Sequence, residues 1–360
     1  MKILYVAGRE QTYSRTRIVL AALRSRGLDV VAVLPPDRRF RHYPKLLWQV
    51  FRRAPQGDLV LVGFYGQLLL PLIWLLTRKP IVFDMYITTY DTMVFDRQKA
   101  KPGSFKAWVY GLSDRLSYRA ARLSILDSDH VIAHFGRLFG ERTDKLRRLF
   151  LAVDDAVIHP RPALEDSLVT PKERPIRVHF HGEYVPFHGV NHILRAAKLL
   201  EQENIVFQII GKGQTYERDM ALARELGLKN VEFYGPVPYD QLADFMARAD
   251  MCLGIFGENE RQTLVITNKV IEAIGMAKPL ITSRNAPVQE LLTDGESVLL
   301  VERANPQALA EAILRLANDP VLRQRLADNG YQVFAEHCAI PRLGEAFEGL
   351  FQDVLRGKAV

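Results

Sequence analysis

Strand-length apolar runs alternate with helix-period segments through this chain, twice over, with one Pro- and charge-rich break between the two series. In the first series ILYVAG, VVAVL, LVLVGF, PIVFDM, LSILDS and HVIAHF read as strands, with helices near 15–27, 44–53, 66–77, 104–121 and 134–140. Strands that alternate with helices predict a parallel sheet covered on both faces. After HPRPALEDSLVTPKERP (His159 to Pro175) the pattern restarts with IRVHFHG, IVFQIIGKG, VEFYG, MCLGIFG, PLITSR and SVLLVE. The 360 residues also exceed what one core usually organises. The expected fold is therefore α/β: two Rossmann-like doubly wound domains facing a cleft, over residues 1–165 and 166–340. The tail after Val321 carries no strand signal, and residues 341–360 read as a last helix that packs on the first domain.

Two cysteines, Cys252 and Cys338, without CxxC spacing give neither a disulfide framework nor a zinc site, which suits a reducing cytoplasm. The start, MKILYVAG, has no signal-peptide pattern and reads as a first strand, while LLLPLIWLL is broken by Pro71 and too short to span a bilayer. The net charge of +7 hides an asymmetry: residues 1–165 hold 27 Lys/Arg against 15 Asp/Glu, and residues 166–360 hold 21 against 26. A basic first half is expected to meet an anionic surface or acceptor. RRFRHYPKLLWQVFRR (38–53) mixes six Lys/Arg with Trp48 and Phe51 and reads either as a membrane-surface helix drawn to anionic lipid or as an ordinary helix of the fold. No nucleic-acid motif accompanies the charge.

In the second half, glycines stand at strand–helix junctions: Gly182 after the first strand, and Gly211 and Gly213 after the second. Such glycines let backbone approach a ligand and leave helix N–H groups free for phosphate oxygens, although each also serves a tight turn. TNKVIEAIGMAKPLITSR (Thr267 to Arg284) then places Asn268 and Lys269 at a helix start and Glu272 three residues on, on the same face. The order strand, polar loop, helix, Gly-x-x-Lys-Pro turn and strand resembles the nucleotide-sugar site of GT-B glycosyltransferases, more narrowly family 4. PVQELLTDGESVLLVERANPQALAEAI is similar to that family's pattern too.

The resemblance implies a site. Glu272 falls on the second glutamate of the family's Glu-x7-Glu element, which holds the ribose hydroxyls; a carboxylate accepts two such bonds. The first glutamate falls at Leu264, so Glu258, Glu260 or the N–H groups of Ile266 to Asn268 are left to serve the donor sugar. The family's Arg/Lys pair is replaced by Glu183 and His188, which shifts the diphosphate onto Lys269, Lys212 or a first-domain arginine. The donor set is Gly182, Glu183, Gly211, Lys212, Gly213, Pro236, Asn268, Lys269 and Glu272, with Lys269 and His188 also assigned to catalysis.

His179, His181, His188 and His192 admit a metal reading, but no nearby Asp or Cys completes a site. The DSD at 127–129 admits both a metal motif and a helix cap. In the first half, Gly8 and Arg9 end the first strand and Arg15 follows at the helix start, a cationic cluster for a phosphate or an acceptor. VFDMYITTYDTMVFD delivers Asp84, Tyr90 and Asp91 to a polar loop; Asp84 is the expected acceptor-orienting group or base, or simply a loop cap.

The resemblance therefore implies transfer of a sugar from a nucleoside-diphosphate sugar to a lipid-linked or polysaccharide acceptor, with no metal and no other cofactor. Retention of configuration and a place at the inner membrane face are part of the same expectation. A nucleotide-sugar epimerase and a non-catalytic nucleotide-sugar-binding protein are the alternatives.

Overall fold

The computed structural model describes residues 1–37, 39–161 and 174–357. Arg38 and the middle of the Pro-rich break thus lie outside the described residues. The chain forms two compact units, Met1–Ala152 with Ile340–Val360, and Val153–Ala339.

The first unit is a six-stranded, wholly parallel sheet in the order β2-β1-β3-β4-β5-β6. Its strands are β1 (Lys2–Val6), β2 (Asp29–Val33), β3 (Leu59–Val62), β4 (Ile81–Tyr86), β5 (Leu123–Leu126) and β6 (Leu146–Arg148). Between them run α1 (Ser14–Ser25), α2 (Tyr43–Arg53), α3 (Leu70–Leu76), α4 (Phe105–Ala120) and α5 (Asp129–Phe139). Parallel crossovers are right-handed. The chain moves one way across the sheet through α1 and the other way through α2 to α5, so α2, α3 and α4 share the face opposite α1.

One expected strand is a helix. HVIAHF lies inside α5, because Ser128 caps its start by accepting a hydrogen bond from Val131 N, and Val131, Phe135 and Phe139 recur at helix spacing on the buried side. Gly140, in the left-handed region, ends it. Within the DSD motif Ser128 is the N-cap, and Asp129 pairs with Arg148 at 2.8 Å. The sixth strand comes after this helix, at Leu146–Arg148.

The second unit repeats the architecture in the order β12-β11-β10-β7-β8-β9, again wholly parallel. Its strands are β7 (Ile176–His181), β8 (Ile205–Ile210), β9 (Val231–Tyr234), β10 (Met251–Leu253), β11 (Leu280–Ser283) and β12 (Leu299–Val301). Its helices are α6 (Val190–Leu199), α7 (Tyr216–Glu225), α8 (Tyr239–Ala247), α9 (Asn268–Gly275), α10 (Ala286–Leu291), α11 (Pro306–Asn318) and α12 (Pro320–Val333). Strands β7 and β10 are neighbours with chain order diverging on either side, and the crevice at such a switch point is where doubly wound sheets hold ligands.

Helix α13 (Ile340–Leu355) belongs to the first unit and packs along α1. Phe347 and Phe351 are fully buried in that unit's core, and burial of each contributes about 2–3 kcal/mol. Gly344 is needed there, since a Cβ would strike the carbonyl of Ala22. Among the described residues no helix is long and apolar enough to cross a membrane.

Candidate functional site

The loop after β7 turns at Gly182, runs through Glu183 and Tyr184, makes a short 3-10 turn at Pro186–His188 and enters α6 at Gly189. Gly182 and Gly211 stand back to back at the ends of β7 and β8 with φ of 146° and 137°. A Cβ on Gly211 would strike the carbonyl of Gly182, and one on Gly182 would sit 3.0 Å from Lys269 Nζ. The two glycines let the backbone pass beside the lysine.

Lys269 lies in the first turn of α9 and is only 5% exposed. Its ammonium nitrogen is 3.0 Å from His188 Nε2 and 5.1 Å from the centre of the Phe180 ring. The His188 Nδ1–H donates to the Glu183 carbonyl, which leaves Nε2 as an acceptor facing Lys269. Burial lowers the Lys269 pKa from 10.5 to about 7, with Glu272 pulling the other way. The lysine is thus no surface charge: it is buried, and its neighbour is His188.

Glu272, one turn along α9 and 5% exposed, is held from the sheet. His181 Nε2 is 2.8 Å from Glu272 Oε2, His179 Nε2 is 2.9 Å from His181 Nδ1, and His179 Nδ1 is 2.8 Å from Gln208 Oε1. Burial pushes the His179 pKa down to about 3, so this imidazole is neutral and carries its one proton toward Gln208. The bare Nε2 of His179 then accepts from His181 Nδ1–H, and His181 Nε2 faces Glu272. These histidines form a line of hydrogen bonds, and among the described residues no cluster of three His, Cys, Asp or Glu converges as a metal cage.

Sequence reasoning missed three side chains here. Arg261, 7% exposed, lies with its guanidinium 5.9 Å from the Phe187 ring, and its Nε has no hydrogen-bond partner among the described residues. Thr267 precedes α9 without capping it, and its buried Oγ1 has no partner among the described residues. Gln262 is buried, bonded through Nε2 to Ser283 Oγ, with Oε1 unpartnered among the described residues. Unpaired buried polar atoms cost about 1–3 kcal/mol each, and their gathering on the loop that enters α9 is what a ligand would relieve. The signal was present in the sequence only as polar residues in a loop.

Other expected donor residues are more peripheral. Asn268 and Pro236 are exposed, as is Lys212, whose ammonium lies 5.5 Å from the Tyr216 ring centre. Gly213 packs against the Tyr184 backbone. At the position of the family's first glutamate Leu264 is buried, and of the acids left to serve the donor sugar Glu260 is exposed and Glu258 pairs with His192 at 3.2 Å.

In the first unit, Arg15 and Asp84 form a buried bidentate pair at 2.9 and 2.7 Å, with Asp84 fully buried. Both carboxylate oxygens are engaged, so Asp84 fixes Arg15, whose Nη1 has no partner among the described residues. Beyond it the chain bulges at Tyr86, which takes a left-handed φ of 57°. The following loop is tied down by Asp114, which accepts from the N–H groups of Thr89 and Tyr90 at 2.9 and 2.8 Å. Burial raises the Asp114 pKa to about 7. Asp91 accepts from Thr88 Oγ1 and lies 3.1 Å from His134 Nε2. Arg9 bonds to Glu10 and lies over the Tyr13 ring at 4.1 Å, while Gly8 touches the Tyr65 carbonyl too closely for any side chain.

Comparison with known proteins agrees with the second unit's architecture. Residues 175–319 match the family model described as Glycosyl transferases group 1. An uncharacterized glycosyltransferase of Methanocaldococcus jannaschii, MJ1178, is 31% identical over 151 residues, 42% of this chain and 41% of that protein. The lipopolysaccharide core biosynthesis glycosyltransferase LpsD of Rhizobium meliloti is 29% identical over 191 residues, 53% of each chain. The matches thus span about half the length of these curated relatives. In fold, the chain resembles Anabaena Alr3699/HepE, solved in complex with UDP, with a TM-score of 0.75 and 16% identity over 98% of this chain and 100% of that one. The fold is GT-B, and the resemblance to group 1 glycosyltransferases holds over the second unit.

Proposed function

We propose, on the premise that residues 175–319 are a group 1 glycosyl transferase domain, that this chain transfers a sugar from a nucleoside-diphosphate sugar to a glycan acceptor. The observation that carries the reading is the convergence of Lys269, His188 and the Gly182 backbone at the start of α9, with Glu272 one turn further on.

Lys269 and the N–H groups of α9 bind the diphosphate and stabilise the charge it gains as the bond from sugar C1 to phosphate oxygen breaks. His188 holds the lysine in place through Nε2. Glu272, braced by His181, accepts from the ribose hydroxyls. Arg261 and Thr267 Oγ1 add donors from the loop. These protein cations replace a metal in this scheme. The acceptor oxygen bonds to C1 with retention, and its proton passes to the leaving phosphate. Arg15 and the Tyr90–Asp91 loop of the first unit orient a lipid-linked or polysaccharide acceptor at the cytoplasmic face of the membrane. Similarity to a lipopolysaccharide core glycosyltransferase supports a glycan acceptor.

A thermal-shift panel of UDP, GDP, ADP and dTDP identifies the base, since a ligand that binds only the native state raises the melting temperature. Donor sugars of that base are then incubated with and without lipid extract. Nucleoside diphosphate released in step with a new glycolipid is expected; a rearranged donor sugar without release identifies an epimerase, and binding without turnover a non-catalytic protein. Lys269→Ala should abolish most diphosphate affinity while the fold persists.

A further inference from the structure

The chain has three tryptophans, and all of them are exposed on one side of the first unit: Trp48 on α2 at 59%, Trp74 on α3 at 55% and Trp108 on α4 at 56%. Tryptophan is usually well buried in soluble domains. Helices α2 and α3 are in contact, as are α3 and α4, and the right-handed crossovers put all three on the same sheet face. Their outer surfaces therefore adjoin.

Each helix spends one stripe on the sheet and a second on solvent. On α2, Leu46 and Val50 are buried, and Trp48 points half a turn away from them. On α4, Ala107, Gly111, Asp114 and Tyr118 are buried, while Phe105, Trp108, Val109 and Leu116 repeat the helical spacing on the exposed side. Leu75 on α3 is 71% exposed and Phe105 76%. The Phe105 and Trp108 rings stack at 5.8 Å, and Arg52 lies 5.4 Å over the Trp48 ring.

Charge identifies what covers this face. The exposed cations Lys45, Arg52 and Arg53 on α2 and Lys106 on α4 stand among the aromatics, and the only acid on the three helices, Asp114, is fully buried. A second copy packed face to face would set cation against cation. Tryptophans among lysines and arginines match the headgroup level of an anionic bilayer. We propose that the α2–α3–α4 face docks this chain on anionic phospholipid, with Trp48, Trp74 and Trp108 entering the interface and the cations pairing with headgroups. The surface is thus three helices wide, where the sequence suggested one segment.

Because every tryptophan lies on this face, intrinsic fluorescence reports it alone. The full chain is mixed with vesicles of phosphatidylcholine, or of phosphatidylcholine with phosphatidylglycerol, and followed by flotation, emission shift and quenching by brominated lipid. Co-flotation with the anionic vesicles, a blue shift and quenching are expected, all reversed by salt. Lys45→Gln/Arg52→Gln/Arg53→Gln should weaken binding on the order of a hundredfold. Trp48→Ser/Trp74→Ser/Trp108→Ser should abolish flotation, with circular dichroism confirming that each variant folds. Absence of flotation, tryptophans left unquenched, equal binding by the variants, or a lipid-free dimer that buries the tryptophans would each overturn the proposal. No sugar donor enters this test, so its outcome is independent of the transferase reading.

Discussion

Nucleotide affinity should fall as pH rises above 7, and Lys269 should carry the dependence. In the empty site burial lowers its pKa to about 7 from 10.5. A bound diphosphate restores the ammonium, so binding above pH 7 draws a proton from solvent. With half the lysines charged at pH 7 and about one in a hundred at pH 9, the affinity should drop roughly 50-fold between them, ~2.3 kcal/mol at ~1.4 kcal/mol per decade. Full restoration of the ordinary pKa bounds the coupling at about 5 kcal/mol. Calorimetric titration of the nucleotide at pH 7, 8 and 9, in buffers of different ionisation enthalpy, measures affinity and proton uptake together. Close to one proton should be taken up at pH 8 to 9, and none in Lys269→Met. Affinity that stays flat, or uptake near zero in the native protein, would refute the argument. Stability carries the opposite sign. The unfolded chain binds this proton up to pH 10.5 and the empty folded site releases it near 7, so the lysine's penalty on the free protein fades as pH rises. The melting temperature of the native protein should gain on that of Lys269→Met between pH 7 and 9.

Three further expectations come from the hydrogen-bond networks. His181→Phe leaves Glu272 buried without its 2.8 Å partner; nucleotide affinity should fall about 10- to 100-fold, for ~1–3 kcal/mol, with His181→Asn recovering part of it in the same titration. Asp84→Asn or Arg15→Met breaks the buried pair of the first unit and should cost about 3–5 kcal/mol in urea unfolding, whereas an unchanged midpoint would remove the structural role given to the pair. Arg261→Met should weaken diphosphate binding by about 10-fold or more while nucleoside binding is unchanged, because its buried unpartnered Nε is assigned to phosphate.

The strand runs were legible because parallel strands covered on both faces are continuously apolar, as in β3 and β12. HVIAHF misled for the same reason: its six residues fit a buried strand, and only the Ser128 cap and the recurrence of Val131, Phe135 and Phe139 mark a helix. At the site, Lys269 and Glu272 were legible from local spacing on one helix. The His179–His181 alternation placed both rings on one strand face, but their partners Gln208 and Glu272 come from a neighbouring strand and a distant helix. Such pairing is set by sheet order, which no local pattern encodes. Asp84 looked available in the sequence; its burial beside Arg15, 69 residues away, is likewise a tertiary fact. Of the tryptophans, Trp48 stood in a basic stretch that allowed an exposed face, whereas the apolar run around Trp74 carried no sign that the fold turns it outward.

The return of α13 to the first unit has a consequence for biosynthesis. Chains emerge from the ribosome amino end first, and domains tend to fold as they appear. The first unit cannot close its core until Phe347 and Phe351 have been made, after all of Val153–Ala339 is available. The second unit is therefore free to finish first, and the half synthesised earliest waits longest with apolar surface uncovered. A nascent chain halted before Ile340 should expose that surface to chaperones while already holding a folded second unit.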